Sequence, residues 1–287
     1  MGGASIDRPW RVAFVGGAGA ADACPKLGAA PALVTRFLAI GRDPLGELRG
    51  LAPDVVVVFD PSADVPALPD DIGAATVAYL TRPAETADLG RYDRLLVSER
   101  GRARTLAPEQ HVWRAVPLPV ADQLFHDVAD PDPAAPPLVT GGSRWHRSRV
   151  LRTVGAALTD AELAAGDKRH SPARGGDAAW IAVSLHDPDG GGFEHRVAMD
   201  LARGRLVLSE PLHPRHGLEP GIDYAEFRSG AELGRLVASA RNDPRPWRWM
   251  RVRGRRKAEQ FRASRVWPRL VADVLADVAA FGRASRG

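Results

Sequence analysis

An α/β fold made of two Rossmann-like halves is what this 287-residue sequence predicts, on three observations. Short apolar runs bounded by turn residues recur along the chain, and they are continuous instead of alternating, the pattern of parallel strands covered on both faces. Segments with helical spacing separate them. One stretch rich in Pro and Asp, Asp127 to Pro137 ("DVADPDPAAPP"), suits neither a helix nor a central strand, and the pattern restarts after it.

In the first half the strands are read at Arg11–Val15, Asp54–Phe59, Ala75–Leu80 and Arg94–Val97, with Val112–Pro119 as the last. Pro31 to Leu51 is read as helical, its Leu33, Phe37, Leu38, Leu45 and Leu48 broken near Gly41 and Pro44. In the second half Leu138–Thr140 reads as a strand, Arg144–Leu158 as a helix, Trp180–Leu185 as a strand and Phe193–Ala202 as a helix. The strand Leu206–Leu208 and the helix Glu232–Arg241 follow. Thr159 to Asp177, polar and glycine-rich, resists assignment. Trp267, Leu270, Val271, Val274, Leu275 and Val278 make one apolar stripe for a final helix. The expected division is residues 1–126, a linker at 127–137, a second domain at 138–266, and a helix at 267–287 returning to the first.

Composition narrows the function classes. The formal charge of +4 and the pI of about 9.7 mildly favour an anionic ligand and decide little more. A single cysteine, Cys24, excludes an internal disulfide framework and a Cys-cluster zinc site. No signal peptide is read, since the first apolar run, Val12–Val15, is too short, and no run approaches the roughly 18 to 20 apolar residues of a membrane span. A soluble, cytoplasmic protein is the expectation. Abundant Ala, Arg, Gly and Pro matches a high-GC bacterial coding bias, so each arginine carries less functional weight.

The most informative stretch runs from Gly190 to Pro211, where a glycine-rich loop enters a short helix that hands over to a buried strand. Glycines let the backbone approach a ligand, and the unpaired N–H groups of a helix start point at an anion in front of them. A diphosphate is the natural occupant. With the following "LHPRHGLEPGID" and "YAEFRSGAELGRLVASARNDPRPW", the segment resembles the donor-binding half of GT-B glycosyltransferases, most closely the CgeB-like, glycosyl transferase group 1-like family. "PLPVADQLF" at 117–125 is similar to the "PxGVDxxxF" segment ahead of the second domain in many GT-B enzymes. "PDVVVVFDP" at 53–61 and "YDRLLVSERGRARTL" at 92–106 look like the middle of a CgeB-like amino-terminal domain. The resemblance implies a GT-B-like α/β fold, two Rossmann-like domains facing a cleft, with the amino-terminal one on the acceptor side.

On that resemblance the donor's diphosphate rests on Gly191, Gly192 and the helix from Phe193, helped by Arg144, Arg147 and Arg149 in "GGSRWHRSR". A guanidinium donates two parallel charge-assisted hydrogen bonds to phosphate oxygens; the alternative is that these arginines only solvate a helix surface. Glu194, at the helix start, is either a first-turn dipole partner worth about 0.3 to 1 kcal/mol or the catalytic acidic group that contacts the donor sugar. The family's ribose carboxylate aligns with Met199, and Asp200, one residue on and turned by about 100°, is the ribose candidate. Donor contacts are also implied for His213, Gly217, Leu218 and Glu219, in a loop following a parallel strand, where ligand crevices form. A metal at His213, His216 and Glu219 is disfavoured, since Pro214 and Gly217 make this a loop and not a helical HxxxH site. His146 and His195 read as surface or packing residues.

Arg245 to Arg269 carries ten basic residues against Glu259 alone, interleaved with Trp247, Trp249, Phe261 and Trp267. Core or hinge packing is the first reading, peripheral membrane contact the second and nucleic acid the last. The whole points to metal-independent transfer of a sugar from a nucleotide-sugar donor to an acceptor of unknown kind (small molecule, glycan or protein), with no bound cofactor. The alternative, motivated by Met199 and a short first domain, is a non-catalytic glycosyltransferase-like binding or scaffold protein.

Overall fold

Runs such as Val55–Phe59 form strands because β-branched side chains fit a pleated surface covered on both faces. The computed structural model describes residues 8–26, 28–40, 44–62, 68, 72–83, 88–99, 101, 103–107, 110–132, 134–154, 162–163, 179–186 and 195–283. Among them every paired strand is parallel, in one six-stranded and one five-stranded sheet. The chain divides into two units, Met1–Asp122 with Phe261–Gly287, and Gln123–Gln260. The Pro- and Asp-rich stretch therefore belongs to the second unit, where Ala135 joins the core.

The first unit contains β1 (Trp10–Gly16), β2 (Leu33–Ala39), α1 (Pro44–Leu51), β3 (Val55–Phe59), β4 (Ala75–Leu80), β5 (Arg94–Val97), α2 (Ala103–Leu106) and β6 (Arg114–Ala115), with sheet order β2-β1-β3-β4-β5-β6. The expectation of helix from Pro31 fails over β2. Leu33 and Phe37 pack on one sheet face and Leu38 on the other, so apolar spacing that fits a helix also fits an edge strand touching both layers. β6 is shorter than the run Val112–Pro119 because Pro117 and Pro119 have no N–H for the ladder.

The second unit contains β7 (Leu138–Gly141), α3 (Arg144–Val154), β8 (Glu162–Leu163), β9 (Ile181–Leu185), α4 (His195–Ala202), β10 (Leu206–Ser209), β11 (Ala225–Glu226), α5 (Gly230–Asn242) and α6 (Arg245–Lys257). Its sheet order is β8-β7-β9-β10-β11. One face, with Val139, Val183, Leu185 and Leu208, packs on α3 and α5 through Val150, Val154, Leu233 and Val237. α4 and α6 pack on each other and against β10. α6 has no apolar stripe to betray it in the sequence, because its buried positions are Arg251 and Gly254. Arg251 donates Nε–H to Gly204 O at 2.8 Å and lies over the Trp180 ring at 5.6 Å; burial lowers its pKa from the usual arginine value. Gly254 permits close packing, since a Cβ there would collide with Asp223 O and meet Leu201 Cδ2 at 2.7 Å.

α7 (Ala263–Phe281) completes the first unit, placing Trp267, Leu270, Val271 and Val274 on the face of β1, β3 and β4. Trp267 is 1% exposed, meets Phe14 edge-on at 4.7 Å and donates Nε1–H to Ala23 O at 2.7 Å. Burying an aromatic of this size removes about 150 to 250 Å² from water, roughly 4 to 6 kcal/mol of transfer free energy as an upper bound.

Candidate functional site

The chain leaves β7 for β8 on one side, then crosses to β9 on the other, so the carboxyl ends of β7 and β9 form a topological switch point. Open parallel sheets bind ligands at such points. Here the apolar strands end in polar residues. Thr140 pairs with Ser184, Ser184 with Ser209 and Ser209 with Glu226, which makes one row across four strands. The first three are buried to 5% exposure or less. β7 then turns through Gly141 and Gly142, with φ of 75° and 63°. Only glycine takes that conformation without strain, and the turn puts the start of α3 beside the strand ends.

Above this row lies a histidine–carboxylate cluster. Glu210 follows β10, and its carboxylate accepts from His146 Nε2 at 2.9 and 3.0 Å and from the His186 backbone N–H at 2.7 Å. Ser209 donates its one hydroxyl proton to Glu210 O at 2.8 Å, so it accepts from His186 Nε2, 3.0 Å away. On α3, Arg149 Nη2 lies 3.4 Å from His146 Nδ1, and its guanidinium stacks over Trp145 at 4.9 Å. A guanidinium only donates, which puts the His146 proton on Nε2, facing Glu210. The result is a partly exposed carboxylate held by a buried histidine ring and a backbone N–H, with the same histidine joined to an arginine that stacks on an exposed tryptophan.

The predicted site residues distribute unevenly over this geometry. Arg149 belongs to the cluster. Arg147 donates Nη2–H to Gly142 O at 3.2 Å and so steadies the glycine turn. Arg144 opens α3, and its side chain lies outside the described residues, as do Gly191, Gly192, Phe193 and Glu194 entirely. Asp200 is 3% exposed and paired with Arg205 at 2.6 Å, while Met199 is buried beside it. The loop after β10 keeps His213, Gly217 and Glu219 exposed and Leu218 buried. Glu219 N–H donates to Asp223 Oδ2 at 3.0 Å, so the Glu219 backbone closes the turn. His216 is half-buried, and desolvation lowers its pKa below the usual histidine value. No group of three or more His, Cys, Asp or Glu able to hold a metal is found among the described residues.

The sequence reading does not reach Glu210, His186 and Ser209, and it gives His146 as a surface or packing residue. The signal for them is that each central apolar run of the second half ends in polar side chains at its carboxyl end: Thr140, Ser184 with His186, and Ser209 with Glu210. In the basic carboxy-terminal segment, Trp267 is core and Trp247 packs on the second unit's core, whereas Trp249 is 57% exposed. No helix among the described residues is long and apolar enough to cross a membrane.

No family model and no curated protein matches the chain. Solved structures do. HepE of Anabaena, determined with UDP and glucose, is similar with a TM-score of 0.52 at 11% identity, over 93% of this chain and 100% of that one. AviGT4, a glycosyltransferase involved in avilamycin A biosynthesis, gives 0.55 at 13% over 95% and 98%. BGT of phage T4, determined with UDP and Mn2+, gives 0.53 at 10% over 92% and 99%. The neighbours are GT-B glycosyltransferases, and the mixed α/β chain with two parallel sheets has their fold.

Proposed function

We propose that the chain transfers a sugar from a nucleotide-activated donor to an acceptor, with the donor held by the second unit at the β7/β9 switch point. The observation that carries this reading is the His146–Glu210–His186 cluster with Arg149 at the carboxyl ends of the strands. A binding crevice in such a sheet requires polar groups at this place, and here the His146 ring and the His186 backbone N–H orient a partly exposed carboxylate. The GT-B fold, and the UDP in the HepE and BGT structures, support a nucleotide diphosphate as the ligand.

In this reading Arg149, with Arg144 and Arg147 on the same helix, meets the diphosphate charge together with the backbone of Gly191, Gly192 and Phe193. Glu194 faces the donor sugar. Preorganised donors of this kind stabilise a departing diphosphate without a divalent cation, so turnover should survive chelation. Asp200 drops out of ribose recognition because its carboxylate is committed to Arg205. The same fact favours a second reading, a non-catalytic nucleotide-binding or scaffold protein, since neither Met199 nor Asp200 offers a free carboxylate. Turnover of common nucleotide-sugars by the purified chain, in EDTA and with Glu194→Gln as control, separates the two. Release of nucleotide diphosphate that Glu194→Gln abolishes without loss of folding supports the transferase; binding without turnover across the panel supports the scaffold.

α6 bears on the place of action. Its outward positions Arg245, Arg248, Trp249, Arg253 and Arg256 include no acid, and Arg253 stacks over Trp249 at 5.6 Å. An interfacial aromatic among cations fits peripheral contact with an anionic membrane.

A further inference from the structure

Glu210 has an arrangement that packing alone does not require. The single His146 Nε2–H bridges both carboxylate oxygens, and the His186 backbone N–H donates to Oε2, which makes three contacts in all. The histidine that orients it is 5% exposed in its side chain, whereas Glu210 is 20% exposed. The cluster therefore presents the carboxylate, and not the imidazole, to solvent. A carboxylate offers about four lone-pair sites and accepts only, so the one that remains, on Oε1, takes an O–H or N–H donor and repels phosphate.

The surroundings narrow the ligand further. Glu210 follows β10, next in the sheet to the β7/β9 switch point, and Arg149 is joined to it through His146. An anion held by Arg149 would leave the uncharged, hydroxyl-bearing part of the same molecule for Glu210. We infer that Glu210 is the hydroxyl acceptor of the site and binds one hydroxyl of the nucleotide-sugar, with His146 as its positioning residue. This inference rests on the donor site proposed above. It moves hydroxyl recognition from the helix α4, where Met199 and Asp200 are unsuitable, to the end of β10. The hydroxyl belongs either to the nucleoside's ribose, at its 2′ position, or to the transferred sugar.

Titration calorimetry with UDP, ADP and GDP, their 2′-deoxy counterparts and the matching glucose conjugates tests it in the full chain. If the ribose carries the hydroxyl, the wild type binds the ribonucleotide about tenfold or more tightly than its deoxy form, the worth of one hydrogen bond to a charged group. Glu210→Gln then binds both alike. If the sugar carries it, ribo and deoxy forms bind equally and the advantage of the glucose conjugate over the diphosphate disappears in Glu210→Gln. His146→Gln, which keeps the carboxylate but loosens its aim, should shrink the same ratio in a protein that still folds, and it replaces Glu210→Gln should that variant not fold. Retention of both wild-type ratios in the folded variants overturns the role of Glu210 and leaves the donor site standing. Failure of the wild type to bind any nucleotide overturns the donor site and this role with it.

Discussion

Arg205→Met tests whether Asp200 serves the fold or a ligand. Arg205 Nη1 lies 2.6 Å from Asp200 Oδ1, and the two side chains are 5% and 4% exposed. Among the described residues a second cation, Arg203, lies 4.0 Å from Asp200 Oδ1. Removing Arg205 strands a carboxylate in the interior, and breaking a buried pair from one side costs about 3 to 5 kcal/mol. Arg203 retains part of the attraction, so the loss should fall near the lower figure. At 2 to 4 °C per kcal/mol, that is roughly 6 to 12 °C in melting temperature for a unit of this size. The double variant Asp200→Leu/Arg205→Met removes both desolvation penalties and should return to within about 1 kcal/mol of wild type or exceed it. Urea unfolding followed by tryptophan fluorescence reads all three proteins. A single-variant loss under about 1 kcal/mol, or a double variant worse than the single, refutes the buried-pair account. If the double variant folds but loses nucleotide affinity, Asp200 is a ligand group after all.

Gly254→Ala should destabilise the second unit by about 1 to 3 kcal/mol, because the new Cβ collides with Asp223 O between α6 and α4; an unchanged urea midpoint would mean that the helices move apart freely. Tyr79 is fully buried, and burial holds its phenol well above the usual tyrosine value. The unfolded chain ionises near pH 10 while the folded one keeps the proton, so this contribution is whole below pH 10 and is lost as pH rises above it. Tyr79→Phe should flatten the decline in stability between pH 10 and 11, and an equally steep decline counts against the assignment. Sedimentation with vesicles should retain the protein on phosphatidylserine-containing but not neutral lipid at low salt, with Trp249→Ala and Arg248→Glu weakening retention; equal binding to both lipids would remove the membrane role of α6.

Much of the fold is legible in the sequence because continuous apolar runs have one economical explanation, a buried parallel sheet. β1, β3, β4, β5, β7, β9 and β10 all follow from that rule. β2 does not, since an edge strand touching two layers reproduces helical spacing through Leu33, Phe37 and Leu38. α6 escapes for the opposite reason: it is buried through a cation stacked on Trp180 and a glycine, neither of which scores as apolar. At the site, Arg149 is legible as a basic residue after the first strand of the second unit. Glu210 is not, because a carboxylate after a strand looks like an ordinary surface charge until the fold brings His146, 64 residues away, to within 2.9 Å. Motif spacing shows what lies along one segment, and the cluster is built from three: α3 and the residues that follow β9 and β10.

The central claim, a nucleotide-diphosphate site on the second unit, is tested most directly by measuring binding of a nucleoside diphosphate panel to the purified chain and to Arg149→Ala. At least one member, supplied at 100 times its dissociation constant, should add about 2.7 kcal/mol of stability. Arg149→Ala should weaken its binding by about 1.5 to 3 kcal/mol, the worth of a hydrogen bond to a charged group. No binding by any member, or full affinity in a folded Arg149→Ala variant, would contradict the site.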